Sequence, residues 1–473
     1  MVFSSPVFLF LFLPFVLAGY FLVRIELRNP LLLLASLLFY AWGEPKYVAV
    51  MLASVLVNYL LGLWVDRTDA VSGRKALIVT AVALNLGLLA YYKYAGFLIA
   101  NLNALLGWAH QPQVPVPAVD LPLGISFFTF HALSYVIDVY RRQAPAQKNI
   151  FLTALYISFF PQLIAGPIVR YHEISNQLRS RVVLLEDLAI GVRRFTLGLG
   201  KKILIANTLA ITADAIFKLG PSELTTRVAW LGVTCYALQI YFDFSGYSDM
   251  AIGLARLFGF HFPENFNYPY TARSMTDFWR RWHQSLSRWF RDYLYVPLGG
   301  NRGSPARTYL NLMVVFFLCG LWHGASWNFV IWGLLHGFFL VVERVLPSRP
   351  LSPAVRSLGH LYVLVAVLIA WVFFRANTLP EALAFLKAMF GAGAAAASAH
   401  RYLDTETVMA LVAGALGSWP LLPLLDKLRE RLRSPVSQLG LSLCGTGALA
   451  CIFLACAMRL SAGTYNPFIY FRF

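Results

Sequence analysis

Apolar runs alternate with short polar breaks along the whole chain. They fall near 6–23, 30–42, 47–65, 76–100, 121–140, 150–168, 187–217, 228–260, 308–320, 325–346, 357–374, 405–425 and 436–459. A helix needs about 20 mostly apolar residues to cross a bilayer, and many of these runs approach or exceed that length. None shows the short polar–apolar alternation of a membrane β-barrel. The pattern therefore predicts an all-α polytopic membrane protein, with roughly 11 transmembrane helices plus re-entrant or half-membrane helices. Two runs are irregular. The 30–42 run is short and ends in the interfacial aromatic pattern Tyr40-Ala41-Trp42-Gly43. The 150–168 run carries Phe160-Pro161-Gln162 and Ala165-Gly166-Pro167. Pro and Gly at membrane depth are tolerated where protein, not lipid, surrounds the backbone, so this run predicts a broken or re-entrant helix.

Composition agrees with the pattern. Of 473 residues, 59% are hydrophobic and 13% charged, against about 25% charged in a soluble chain. The net charge of +17 would suggest nucleic acid in a soluble protein. Here the cations sit in short loops, and no basic stripe accompanies a nucleic-acid fold, so no nucleic-acid partner is expected. Arg24 and Arg28, then Arg67, Arg74 and Lys75, then Arg141, Arg142 and Lys148, and finally Lys427, Arg429, Arg431 and Arg433 fall on one alternating side. That side is expected to be cytoplasmic, which places the tail from Ser461 to Phe473 outside. Parity is not fixed between about 170 and 310, where cations are dense. Met1 to Tyr20 has no cation ahead of its apolar stretch; it predicts a retained first span with its N-terminus outside. The five cysteines, Cys235, Cys319, Cys444, Cys451 and Cys456, form no CxxC pair and are expected to be small packed residues, neither disulfide-bonded nor metal-binding. The Ala/Gly-rich stretch 392–399 reads as a loop. No repeat or soluble insert interrupts the chain, so a single integral-membrane domain over 1–473 is expected, with a catalytic core at about 120–345 and the aromatic tail at 461–473.

Ionisable groups at membrane depth are costly and suggest function. Two histidines stand out: His283 in Phe278-Trp279-Arg280-Arg281-Trp282-His283 and His323 in Gly320-Leu321-Trp322-His323-Gly324-Ala325. Each can exchange a proton near neutral pH, which suggests acid–base or acyl-transfer chemistry. Phe278 to Leu294 reads as one amphipathic helix that sets His283 and Ser287 on the same face. His336 lies 13 residues beyond His323, on the same helix if that helix is unbroken. Asn328 and Trp322 are candidates for polarising a carbonyl oxygen. Tyr241 to Met250 contributes Asp243, Ser245 and Asp249 in apolar surroundings. Buried carboxylates need partners. Arg280, Arg281, Arg288 and Arg291 are the nearest candidates, either in an ion-pair network that locks helices or around substrate. The loop Leu298-Gly299-Gly300-Asn301-Arg302-Gly303 fits a plain turn or an approach to phosphate. Gly198-Leu199-Gly200-Lys201-Lys202 lacks both the leading Gly and the trailing Ser/Thr of a phosphate loop. The histidine spacing matches no common zinc site.

At these residues the chain resembles the membrane-bound O-acyltransferase family, in its branch for alginate O-acetylation and D-alanyl transfer. The stretches carrying the resemblance are Met1-Val2-Phe3-Ser4-Ser5, Leu163 to Pro167, Tyr241 to Gly253, Glu264-Asn265-Phe266, Phe278 to Tyr295, Gly299-Gly300-Asn301-Arg302 and Leu321 to Gly337. The resemblance implies helices around a thinned central region, with His323 as the catalytic histidine and His283 as its upstream partner. It also implies a multi-pass protein of the bacterial inner membrane that acetylates an exported polysaccharide or cell-wall polymer. The expected donor is acetyl-CoA, a co-substrate, with no tightly bound cofactor. A separate periplasmic SGNH-type acetyltransferase is the expected relay partner, and membrane lipid surrounds the whole. The ending Tyr465-Asn466-Pro467-Phe468-Ile469-Tyr470-Phe471-Arg472-Phe473 resembles the docking motif of a small accessory peptide in D-alanylation systems. Tyr465, Phe468, Tyr470 and Phe473 would dock this tail near the histidines or serve a partner; the alternative is an interfacial aromatic anchor. Two other functions remain compatible with the residues: a transporter or channel without acyl chemistry, and an acyltransferase acting on a lipid or protein hydroxyl.

Overall fold

A computed structural model describes residues 1–346, 353–391, 398–421, 423–424, 435–463 and 465–467. The basic cluster at Lys427 to Arg433, most of the 392–399 stretch, and Phe468, Tyr470 and Phe473 lie outside these residues. Every regular element among the described residues is helical. Six helices are long and apolar enough to cross a membrane: Pro45–Arg67, Val71–Trp108, Pro305–His323, Trp327–Val345, Leu358–Arg375 and Gln438–Ser461. Phe8–Leu22, Ile125–Tyr140 and Thr405–Gly417 are shorter apolar helices.

The residues gather into two compact units. The first comprises Met1–Val192, Ala251–Pro263 and Gly324–Ser326. Its aromatic core joins Phe3, Phe8, Phe12, Phe39 and Phe160. The 150–168 run is broken as its Pro and Gly predict. Helix Ile150–Ser158 stops, a single turn Phe160–Leu163 follows, and no helix runs through Gly166 and Pro167. Residues 153–169 are all buried, so protein shields the open backbone. Buried Gln162 donates from Nε2 to the carbonyl of Tyr156 at 2.5 Å, and Ser36 Oγ accepts from the Phe160 N–H at 3.1 Å.

The second unit comprises Arg193–Met250, Glu264–His323 and Trp327–Phe473. Lipid is as apolar as Leu, so helices here associate by close packing and polar contacts rather than by escape from water. Two glycine crossings do this. At the first, a Cβ on Gly198 would lie 2.6 Å from the Gly246 carbonyl, and one on Gly246 would lie 2.7 Å from the Gly198 carbonyl. At the second, a Cβ on Gly320 would strike the Phe329 carbonyl, and one on Gly333 the Phe316 carbonyl. The second crossing closes Pro305–His323 and Trp327–Val345 into a tight helical hairpin.

Candidate functional site

The first glycine crossing decides where the carboxylates go. Around Gly198 and Gly246 the backbones nearly touch, and a π-helical segment, Lys201–Ala206, follows directly. This presents Lys201 and Lys202 to the Thr226–Leu257 helix, which carries Asp243 and Asp249. Lys202 pairs with Asp243, and both side chains are almost fully buried. Lys201 Nζ lies 2.6 Å from Asp249, whose carboxylate also accepts from Arg194. Arg194 bonds Glu264 as well. The expected arginine partners are therefore corrected: the cations come from 194–202, because the glycine crossing delivers them, and not from 280–291. Arg281 instead bonds Asp277 at 2.8 Å, one helical turn away, and Arg280 is exposed. Ser245 is buried, and its Oγ has no hydrogen-bond partner among the described residues.

The expected continuous helix over Phe278 to Leu294 is also corrected. Met275–Arg281 stops, with Ser274 Oγ accepting from the Asp277 N–H at its start. His283 takes φ 43 and ψ 53, left-handed, and Gln284–Phe290 begins after it. A non-glycine residue held there costs on the order of 1–2 kcal/mol, and such strain clusters at functional sites. Two backbone bonds fix the break: Asn267 N–H to Arg281 O and Gln284 N–H to Asn265 O, each 2.9 Å. The imidazole of His283 is wholly buried. Its Nδ1 lies 3.1 Å from Asn265 Oδ1, and its Nε2 has no partner among the described residues. Phe244 stands edge-on to the ring at 4.6 Å.

His323 ends the Pro305–His323 helix, and a new helix starts at Trp327. His323 and His336 are thus on opposite arms of the hairpin, not on one unbroken helix. They meet all the same. Trp332 packs edge-on against both, 4.9 Å from His323 and 4.8 Å from His336. Trp322 lies between His323 and His283, with its ring 4.9 Å from the first and 6.1 Å from the second. All three histidines therefore share one aromatic enclosure, completed by Trp279, Trp371 and Phe374. Trp279 Nε1 donates to His336 Nδ1 at 3.3 Å, so the neutral His336 ring carries its proton on Nε2. Asn328 donates to the carbonyl of Ala376 at 2.9 Å, a tie to the end of the neighbouring helix.

A cavity of about 770 Å³ opens beside this enclosure, within the size range of small-molecule sites. Trp279, Phe316 and Cys319 line it, together with Arg280, Arg288, Arg291 and Arg344. Ser287 borders it too, with a buried Oγ that has no partner among the described residues. The Gly299–Gly300 loop is a pinned turn: Asn311 donates to the carbonyls of Leu298 and Gly300, and Arg344 to Asn301 and Tyr295. Among the described residues, no three His, Cys, Asp or Glu side chains converge as a metal site would need.

The tail is anchored as far as it is described. Tyr465 donates its hydroxyl to Asp214 at 2.7 Å, Asn207 donates to Asn466 at 3.0 Å, and Lys202 donates to the Pro467 carbonyl. Asp214 also pairs with Arg375, the residue after Phe374, whose ring packs 5.2 Å from His323.

Sequence reasoning missed Asn265 and Trp332 as neighbours of the histidines, and Lys201 and Lys202 as partners of the carboxylates. Residues 39–379 match the model of the membrane-bound O-acyltransferase family. The chain is 40% identical to "Probable alginate O-acetylase AlgI" of Pseudomonas putida, with all of both chains covered. It is 38% identical to "Peptidoglycan O-acetyltransferase" of Helicobacter pylori, covering 83% of this chain and 80% of that one. It is 32% identical to "Teichoic acid D-alanyltransferase" of Streptococcus thermophilus, covering 47% of this chain and 56% of that one. With the family model and a full-length relative in agreement, this chain belongs to the membrane-bound O-acyltransferase family and is a multi-pass membrane O-acyltransferase.

Proposed function

We propose that the chain takes an acetyl group from a cytoplasmic thioester, acetyl-CoA, and passes it outward for O-acetylation of an exported polysaccharide or cell-wall polymer. The names of the two relatives covered over most of their length support that acceptor class. The observation that carries the chemistry is the shared enclosure: His283 and His323 on either side of Trp322, both buried, with the His283 Nε2 uncommitted among the described residues.

The arginine-lined cavity suits the donor. Arg280, Arg288, Arg291 and Arg344 offer planar donors to phosphates, and Trp279, Phe316 and Cys319 offer an apolar wall to the thioester arm. His323 acts as general base. It takes the proton of the incoming hydroxyl while that oxygen attacks the thioester carbonyl; the C–S bond then breaks and the thiolate leaves with a proton. His283 accepts or orients that proton. Trp322 and Trp332 place indole faces around the reacting carbon and exclude water. The acceptor is the hydroxyl of an extracytoplasmic relay partner of the SGNH acetyltransferase class, which completes transfer to the polymer. The tail from Tyr465 onward is the docking element on that side. Its tie to Asp214, and through Arg375 to the wall of His323, supports this role.

The test is acetyl transfer from radiolabelled acetyl-CoA by the purified protein with its partner, comparing the native chain with His323→Ala and His283→Ala. Loss in both folded variants is expected. Native activity in His323→Ala would overturn the assignment of the base.

A further inference from the structure

Asn265 is not among the acid–base groups, yet its side chain is the most committed polar group near the histidines. It is 1% exposed. Its Oδ1 faces three groups: His283 Nδ1 at 3.1 Å, the Ser285 backbone N–H at 3.2 Å and Ser285 Oγ at 2.9 Å. Its Nδ2 donates to Ser248 Oγ at 2.9 Å, on the Thr226–Leu257 helix. The Ser285 N–H can only donate, so the atom it faces is an oxygen, and the orientation of the amide is settled. An amide oxygen can only accept, so His283 Nδ1 must carry a hydrogen. In the neutral ring the lone pair then lies on Nε2, the atom with no partner among the described residues. The amide cannot flip to reverse this without turning its NH2 group against the Ser285 backbone N–H, which can only donate. The Asn265 carbonyl also accepts from the Gln284 N–H, so one residue fixes both the left-handed backbone at His283 and the tautomer of its ring.

From this geometry we infer that Asn265 is a positioning residue, which holds His283 as the Nδ1–H tautomer and so keeps the Nε2 lone pair available to the reaction. The inference rests on the proposed role of His283 in acyl transfer. It gives His283 the opposite tautomer to His336, whose Nδ1 accepts from Trp279 and whose proton is therefore on Nε2. The enclosure thus holds one ring poised to accept through Nε2 and one poised to donate through it. A histidine held in the wrong tautomer is a poor base however well it is placed, and the loss is as large as about 10⁴-fold in a hydrolase triad.

The experiment labels the full-length protein with ring-15N histidine and identifies His283 by subtracting the spectrum of His283→Gln. Ring nitrogen shifts report which nitrogen bears the proton, independently of activity. The native protein is expected to show His283 as Nδ1–H. Asn265→Leu, which matches the shape but cannot accept, is expected to move His283 toward Nε2–H and to slow acetyl transfer by about 10²-fold or more. Asn265→Asp keeps an accepting oxygen and is expected to restore the tautomer and regain at least about tenfold of the rate lost in Asn265→Leu. An Nε2–H signal in the native protein overturns the inference, and so does an Asn265→Leu protein with the native tautomer. Because the native spectrum and its His283→Gln difference decide the first point, an Asn265 variant that fails to fold leaves the test intact. Native acetyl transfer in His283→Gln, with the tautomer still following Asn265, would sink the catalytic reading of His283 while the tautomer assignment stood.

Discussion

The carboxylates and the histidines occupy the same unit and lie in equally apolar sequence, and Asp243 is as buried as the histidines, yet they are treated in opposite ways. Asp243 is matched by Lys202, and Asp249 together with Glu264 by Lys201 and Arg194. The histidines are walled by tryptophan and phenylalanine, and ring nitrogens of His283 and His336 are left without partners among the described residues. A buried charge with full compensation holds helices together. A buried neutral base with an uncommitted nitrogen costs stability and gives only reactivity in return. Satisfaction of the polar group, not its burial or its residue type, separates the two.

The largest effect should come from His323→Ala, which is expected to lower acetyl transfer at least about 10³-fold with unchanged thermal unfolding in detergent. A matching fall in stability would place His323 with the carboxylates as a structural group. Removal of Tyr465 to Phe473 is expected to abolish acetylation of the polymer in cells while membrane insertion, followed by fractionation, remains intact. Full acetylation would leave the tail an interfacial anchor.

Asp243→Ala strands Lys202 at depth and should cost about 3–5 kcal/mol, seen as a lower unfolding temperature and poor yield. Asp243→Leu combined with Lys202→Met should recover most of that stability and measurable acetyl transfer. If the double variant is stable but inactive, the carboxylate touches substrate and the contrast between the two regions fails. The smallest effect belongs to the cavity rim. Arg344→Ala should raise the KM for the acetyl donor about tenfold, the loss of one charge-assisted hydrogen bond of about 1.5 kcal/mol, with little change in kcat. An unchanged KM would place the donor elsewhere.

Much of this was legible in the residues. The apolar runs at 47–65, 76–100, 308–320, 325–346, 357–374 and 436–459 correspond to the six long helices. Pro161, Gly166 and Pro167 foretold the broken helix. His283 and His323 stood out because imidazoles are rare amid such sequence. The carboxylate partners were not legible, because Lys201 and Lys202 reach Asp249 and Asp243 only through the crossing at Gly198 and Gly246. The arginine-rich segment 280–291 offered candidates that the fold does not use. The break at His283 was hidden for another reason. No glycine or proline marks it, and the left-handed turn is imposed by Asn265 and Asn267 from a separate segment. Helical periodicity over 278–294 is real on both sides and says nothing of the kink between them. Asn265 itself lies 18 residues from His283 and looks like any loop asparagine until the two segments cross.

The aromatic enclosure has an optical consequence. Trp279, Trp332, Trp371 and Trp282 form a chain of ring contacts, Trp322 packs on His323 beside it, and these five of the chain's 12 tryptophans are nearly dry. Indoles so placed emit at short wavelength and exchange excitation among themselves, and protonated imidazole quenches them. Trp279 both lines the cavity and bonds His336. Ultraviolet fluorescence of the unlabelled protein should therefore register both the arrival of a molecule in the cavity and the movement of a proton among the histidines, so the protein carries its own reporter at the proposed site.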